Sequence, residues 1–175
     1  MAGAATNITQ VPPALVAITV TWAALAAILD LRTQRIPNWM TFPAALLGLA
    51  ANAVLGGVSG LGQSALGMLL GLGLLIVPFI LGGMGAGDVK MLAAVGAFGG
   101  PAFVWRTFLM GSIAGGLISM CFIVSRSRVS RQSLQAAVLT GRMPGAVVKA
   151  SKQAFPYGVA ILAGTIAASF AGWPV

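Results

Sequence analysis

Asp30 and Asp88 are the only acidic residues in a chain that has no Glu, no His and a single Cys, and both border long apolar runs. A metal site draws on several His, Cys or carboxylate ligands, and a hydroxyl or thiol nucleophile needs a base beside it. Neither set can be assembled from these residues, so the sequence points to no metal and no cofactor. What remains is acid–base chemistry on two carboxylates. Held within a few ångströms, such a pair keeps one proton between its members. The ionised member activates a water and the protonated member donates to a carbonyl. Peptide hydrolysis without a covalent intermediate is the reaction class this permits. The start of a helix at Asp88 and the neighbouring Lys90 favour a charged carboxylate, which suggests Asp88 as base and Asp30 as acid.

These two residues must be positioned by membrane-spanning elements. Hydrophobic residues make up 58% of the chain and charged ones 7%, far below the roughly one quarter charged in soluble domains. An all-α integral membrane protein is expected. A spanning helix takes about 20 residues, so about six helices with short connections use nearly the whole length, and residues 1–175 form a single membrane-embedded domain. No Lys or Arg precedes Arg32, so the first apolar run reads as a retained helix and not as a cleaved signal. Cys121, alone in an apolar segment, reads as a packing residue. The net charge of +8 comes from residues that flank apolar runs, which fits a membrane-lipid contact and no nucleic-acid partner.

Apolar runs extend from about Val11 to Asp30, Trp39 to Leu55, Gln63 to Leu81, Val89 to Phe98, Ala102 to Val124 and Ala154 to Trp173. The breaks between them carry their own chemistry. Ile36-Pro37 disfavours a helix, Gly56 to Gly62 is glycine-rich and uncharged, and Gly82 to Gly87 is a glycine cluster. Gly99-Gly100-Pro101 cuts the fourth run to about 10 residues, or about 15 Å, which predicts a bundle thinned or opened on one face, with water reaching the aspartates. The basic stretch 125–153 reads either as a cytoplasmic loop or as an interfacial helix, with Leu134, Val138 and Leu139 on its apolar side. Gly67 with Gly71, and Gly111 with Gly115, read as close-packing pairs between helices.

Alternating the connections puts nine basic residues on one side, from Arg32 and Arg35 through Lys90 to Lys152, and only Arg106 on the other. The positive-inside rule makes the first side cytoplasmic and leaves both termini outside. Asp30 then ends the first helix, and Asp88 begins the fourth, at the same cytoplasmic level. A carboxylate within hydrocarbon costs about 3 kcal/mol, so each should face a wet cavity, meet a cation or do work. The bland reading pairs Asp30 with Arg32 or Arg35 and lets Asp88 cap its helix beside Lys90.

The motifs around the two residues resemble a known family. Gly85-Ala86-Gly87-Asp88 resembles the GxGD motif of membrane-embedded aspartic proteases, and the continuation Val89-Lys90-Met91 is similar to that of prepilin peptidases. Asp30-Leu31-Arg32-Thr33-Gln34-Arg35-Ile36-Pro37-Asn38 resembles the family's first-aspartate segment, and Pro156-Tyr157-Gly158 the start of its last helix. The resemblance implies a bacterial inner-membrane enzyme that removes the basic leader of type IV pilin-like precursors, with Asp30 and Asp88 as the catalytic pair. Gly85, Gly87, Lys90, Ile36, Pro37 and Asn38 would support them, the two glycines by close backbone approach and unusual φ values. The larger family members carry paired CxxC motifs and also methylate the product. With one Cys, this chain looks like the short peptidases of Flp-type pili, without methyl transfer. Two rival readings are a small proton- or ion-coupled transporter and a non-catalytic secretion-system subunit.

Overall fold

The computed structural model describes residues 12–33, 36–81, 84–126 and 157–170, with side chains described throughout except at 119–126. All regular structure among them is helical: α1 (Pro13–Thr33), α2 (Asn38–Ile80), α3 (Ala86–Arg126) and α4 (Tyr157–Phe170). Three of these, α1, α2 and α3, are long and apolar enough to cross a membrane, and α4 is a shorter apolar helix. This is a multi-pass membrane protein. The stretch 127–153, Arg35, Gly82, Gly83, Pro156 and the run's end at Trp173 lie outside the described residues.

Two of the helices fold back on themselves, each at a glycine in the left-handed half of backbone space. Gly57 has φ 59° and ψ −143°, and Gly100 has φ 73° and ψ −175°, conformations that side-chain-bearing residues avoid. Asn52 and Ser64 flank the first break and both donate to the carbonyl of Ala97. Along a straight helix they would stand about 18 Å apart. Leu92 and Gly111 flank the second break and line one small apolar cavity, against about 28 Å along a straight helix. The reversals fall where the glycine-rich breaks in the sequence predict them.

The segment of α3 before Gly100 is the centre of the molecule. Its residues 91–98 are buried without interruption, so it has no polar face, as a helix surrounded by other helices requires. It runs for about 21 Å from Ala86 to Gly99, shorter than the hydrocarbon layer of about 30 Å. Its neighbours close round residues 91–98, and Asp30 and Asp88 keep only 8% and 7% of their surface exposed.

Small residues allow this enclosure. A Cβ at Gly48, Gly67 or Gly71 of α2 would collide with the α3 backbone, at Ala97 and Phe98, at Gly96 and Gly100, and at Leu92 and Ala93 respectively. Gly111 and Gly115 of α3 lie against α4, where a Cβ would stand 3.0 Å from the Ala160 carbonyl oxygen and 3.2 Å from the Ala160 Cβ respectively. The larger core side chains Leu75, Met91, Leu92, Val95, Val104 and Ile161 fill what remains. α3 thereby touches all three of the other helices, and α1 also packs along α4.

Candidate active site

Asp30 lies three residues before the end of α1, near the carbonyl-rich terminus of that helix, where a negative charge is least welcome. The compensation comes from far along the chain. α4 begins at Tyr157, and the Gly158 amide in its first turn donates to Asp30 Oδ2 at 3.2 Å. An amide at a helix N-terminus has no partner within its own helix and carries the positive end of the helix dipole.

Asp88 is the third residue of α3 and reaches back to cap it. The Gly85 amide donates to Asp88 Oδ2 at 3.2 Å, and the Asp88 amide donates to the Gly85 carbonyl at 3.2 Å. This is the acidic half of a capping box, so helix capping is a real part of what Asp88 does. It uses one oxygen only. Asp88 Oδ1 is buried and has no hydrogen-bond partner. The two carboxyl groups are close enough to interact electrostatically. Each is held by a helix-terminal glycine amide, so a helix start does not by itself separate base from acid.

The Ile36-Pro37-Asn38 segment lies directly against the start of α3. Pro37 is extended, with φ −71° and ψ 144°, and precedes the first residue of α2. Ile36 is buried, and a Cβ on Gly87 would stand 3.0 Å from its Cβ and 3.2 Å from its amide nitrogen. Gly87 therefore contributes by close approach. Neither it nor Gly85 has a positive φ, so the unusual backbone angles expected there are absent; the two such glycines among the described residues are the ones at the reversals. Lys90 turns to the same segment and donates from Nζ to Asn38 Oδ1 at 2.7 Å, a charge-assisted bond between α3 and the start of α2.

The structure thus brings Asp30, Asp88, Gly85, Gly87, Lys90, Ile36, Pro37 and Asn38 to one end of the bundle. It adds Gly158, whose sequence signal was only its place in the Pro156-Tyr157-Gly158 step. Among the described residues no group of three His, Cys, Asp or Glu side chains could hold a metal ion. The buried carboxylate pair is suited to polarising a water or moving a proton.

Residues 17–120 match the model of the type IV leader peptidase family. This chain belongs to that family. The matched span includes both aspartates and the segments that hold Asp88. The chain is 32% identical to the prepilin leader peptidase/N-methyltransferase of Pseudomonas putida over 73% of its own length and 46% of that protein. It is equally identical to the protein of the same name from Aeromonas hydrophila, over 65% of the chain and 41% of the relative. The chain therefore spans less than half the length of these curated relatives. No solved structure matches.

Proposed function

We propose that this protein is an aspartic endopeptidase that removes the basic leader peptide of type IV pilin-like precursors of the Flp type, at the cytoplasmic face of the bacterial inner membrane. Family membership supports the substrate class. The observation that carries the chemistry is the pairing of the chain's only two acids at one end of the bundle, one with a buried oxygen left unsatisfied.

In this reaction the pair shares one proton. The ionised carboxylate takes a proton from a water lying between them, and the hydroxide oxygen attacks the scissile carbonyl. The other carboxyl gives its proton to the developing oxyanion. Collapse of the tetrahedral intermediate returns a proton to the leaving amine, so the peptide bond is exchanged for water with no covalent enzyme adduct. Gly85, Gly87, Ile36, Pro37, Asn38 and Lys90 hold the helix carrying Asp88 against the segment that follows Asp30.

The accompanying topology is six crossings by one domain over residues 1–175, with both termini outside and the aspartates on the cytoplasmic side. The reversals at Gly57 and Gly100 and the positive-inside distribution support it.

The test is co-expression with a Flp-type pilin precursor from the same genome, following the leader-dependent size shift for wild type, Asp30→Asn and Asp88→Asn. Cleavage by wild type that both Asn variants lose, at equal membrane abundance, is the expected outcome. Equal cleavage by all three would end the two-carboxylate mechanism. No cleavage of an authentic, inserted precursor by wild type would move a transporter or assembly role to the front.

A further inference from the structure

We propose that Gly158 is a positioning residue for Asp30: the first turn of α4 acts as a backbone clamp that aims one carboxylate of the pair. The inference rests on the peptidase reading for its kinetic consequence and on geometry alone for the clamp.

Three observations carry it. Asp30 sits at the end of α1 that disfavours an anion, and the Gly158 amide, at the favourable end of α4, donates to its Oδ2 at 3.2 Å. The approach requires the missing side chain. A Cβ at Gly158 would stand 2.9 Å from Asp30 Oδ2, 3.2 Å from its Cβ and 3.3 Å from its Cγ, with all three nearest atoms belonging to this one side chain. Finally, nothing in the backbone demands glycine there. Gly158 is helical with no positive φ, and alanine is the better helix former. An added methyl would therefore leave α4 intact and turn the Asp30 carboxyl away, so the fold tolerates what the site does not.

Gly164, six residues further along the same helix, supplies the contrast. A Cβ there would strike the Thr107 carbonyl and the Gly111 backbone of α3, none of them an atom of either aspartate, and these backbone atoms cannot swing aside. Gly158→Ala and Gly164→Ala thus separate a site lesion from a packing lesion.

The experiment compares wild type, Gly158→Ala, Gly164→Ala and Asp30→Asn as full-length protein purified in detergent, with precursor cleavage measured per folded enzyme. Gly158→Ala is expected to lower kcat about a hundredfold, as a misplaced catalytic group does, with KM within about twofold of wild type and unchanged thermal stability. Gly164→Ala is expected to lose stability while keeping the kcat of its folded fraction. Cleavage by Gly158→Ala within twofold of wild type, or a loss that follows its stability as in Gly164→Ala, overturns the proposal. A second readout needs no activity. In protein labelled with ¹⁵N-glycine, the amide resonance missing from Gly158→Ala identifies Gly158, and Asp30→Asn should shift it. A resonance unmoved by Asp30→Asn overturns the clamp, whereas a shifted one in a wild type that cleaves nothing counts against the peptidase reading alone.

Discussion

The short central segment of α3 has two ends, and they handle the same problem in opposite ways. At its far end Gly100 breaks the helix and Pro101 has no N–H to offer the Ala97 carbonyl, so the carbonyls of Ala97 and Phe98 lose their intrahelical donors. Asn52 Nδ2 donates to both at 3.0 Å, and the Ser64 hydroxyl donates to Ala97 as well. Both carbonyls are thus answered by side chains from α2, as a low-dielectric interior requires. At the near end Asp88 satisfies the helix with one oxygen and leaves the other buried without a partner. Among the side-chain nitrogen and oxygen atoms of the described residues, only that oxygen and the Thr107 hydroxyl are buried and unpartnered. The fold thus satisfies two carbonyls at one end of the helix and leaves a carboxylate oxygen open at the other, a contrast that fits a structural far end and the proposed chemistry at the near end.

That contrast can be broken at either end. The largest expected effect is at Asp88. Asp88→Asn keeps the shape and the cap but cannot carry the proton, and it should lower cleavage by about a thousandfold or more. Its thermal unfolding temperature in detergent should be equal to or above that of wild type, since a buried carboxylate has been removed. A marked loss of stability would mean the near end is structural after all. Gly87→Ala comes next, because the methyl crowds Ile36 and displaces the Pro37 segment from α3. About a tenfold loss of cleavage at unchanged membrane abundance is expected.

At the far end the effect should appear in stability and not in rate. Asn52→Leu removes the donor to two buried carbonyls and should cost about 2 kcal/mol, read from denaturant or thermal unfolding in detergent. The folded fraction should still cleave within about twofold of wild type; a disproportionate fall in kcat would erase the distinction between the ends. Lys90→Met is the smallest. Its bond to Asn38 is solvent-exposed, so a loss of about 0.5 kcal/mol and a few-fold drop in cleavage are expected.

The candidate site was legible in the sequence wherever a local rule applied. Two acids in an apolar chain, each beside a basic, helix-breaking or glycine-rich step, mark themselves, because hydrocarbon tolerates an ionisable group only for a reason. The bland reading of the sequence names other partners for them. Lys90 beside Asp88 in sequence suggested an ion pair, yet its ammonium bonds Asn38, 52 residues away. That reading pairs Asp30 with Arg32 or Arg35, whereas the donor in the structure is the Gly158 backbone amide, 128 residues away. Neither Asn52 nor Ser64 carried a signal, since one Asn and one Ser in an apolar run acquire meaning only when a broken helix lies against them.

The sequence by itself determined that the chain lives in a membrane, where its apolar runs break, and which two residues are the candidates for acid–base chemistry. Those properties follow from composition and from the backbone limits of glycine and proline, which act within a few residues. Only the tertiary structure decided that the short segment of α3 lies at the centre of the bundle, that its freed carbonyls meet α2, and that α4 presents Gly158 to Asp30. Those contacts depend on which helix faces approach closely. That is settled by many small residues packing at once, and no single stretch of the chain encodes it.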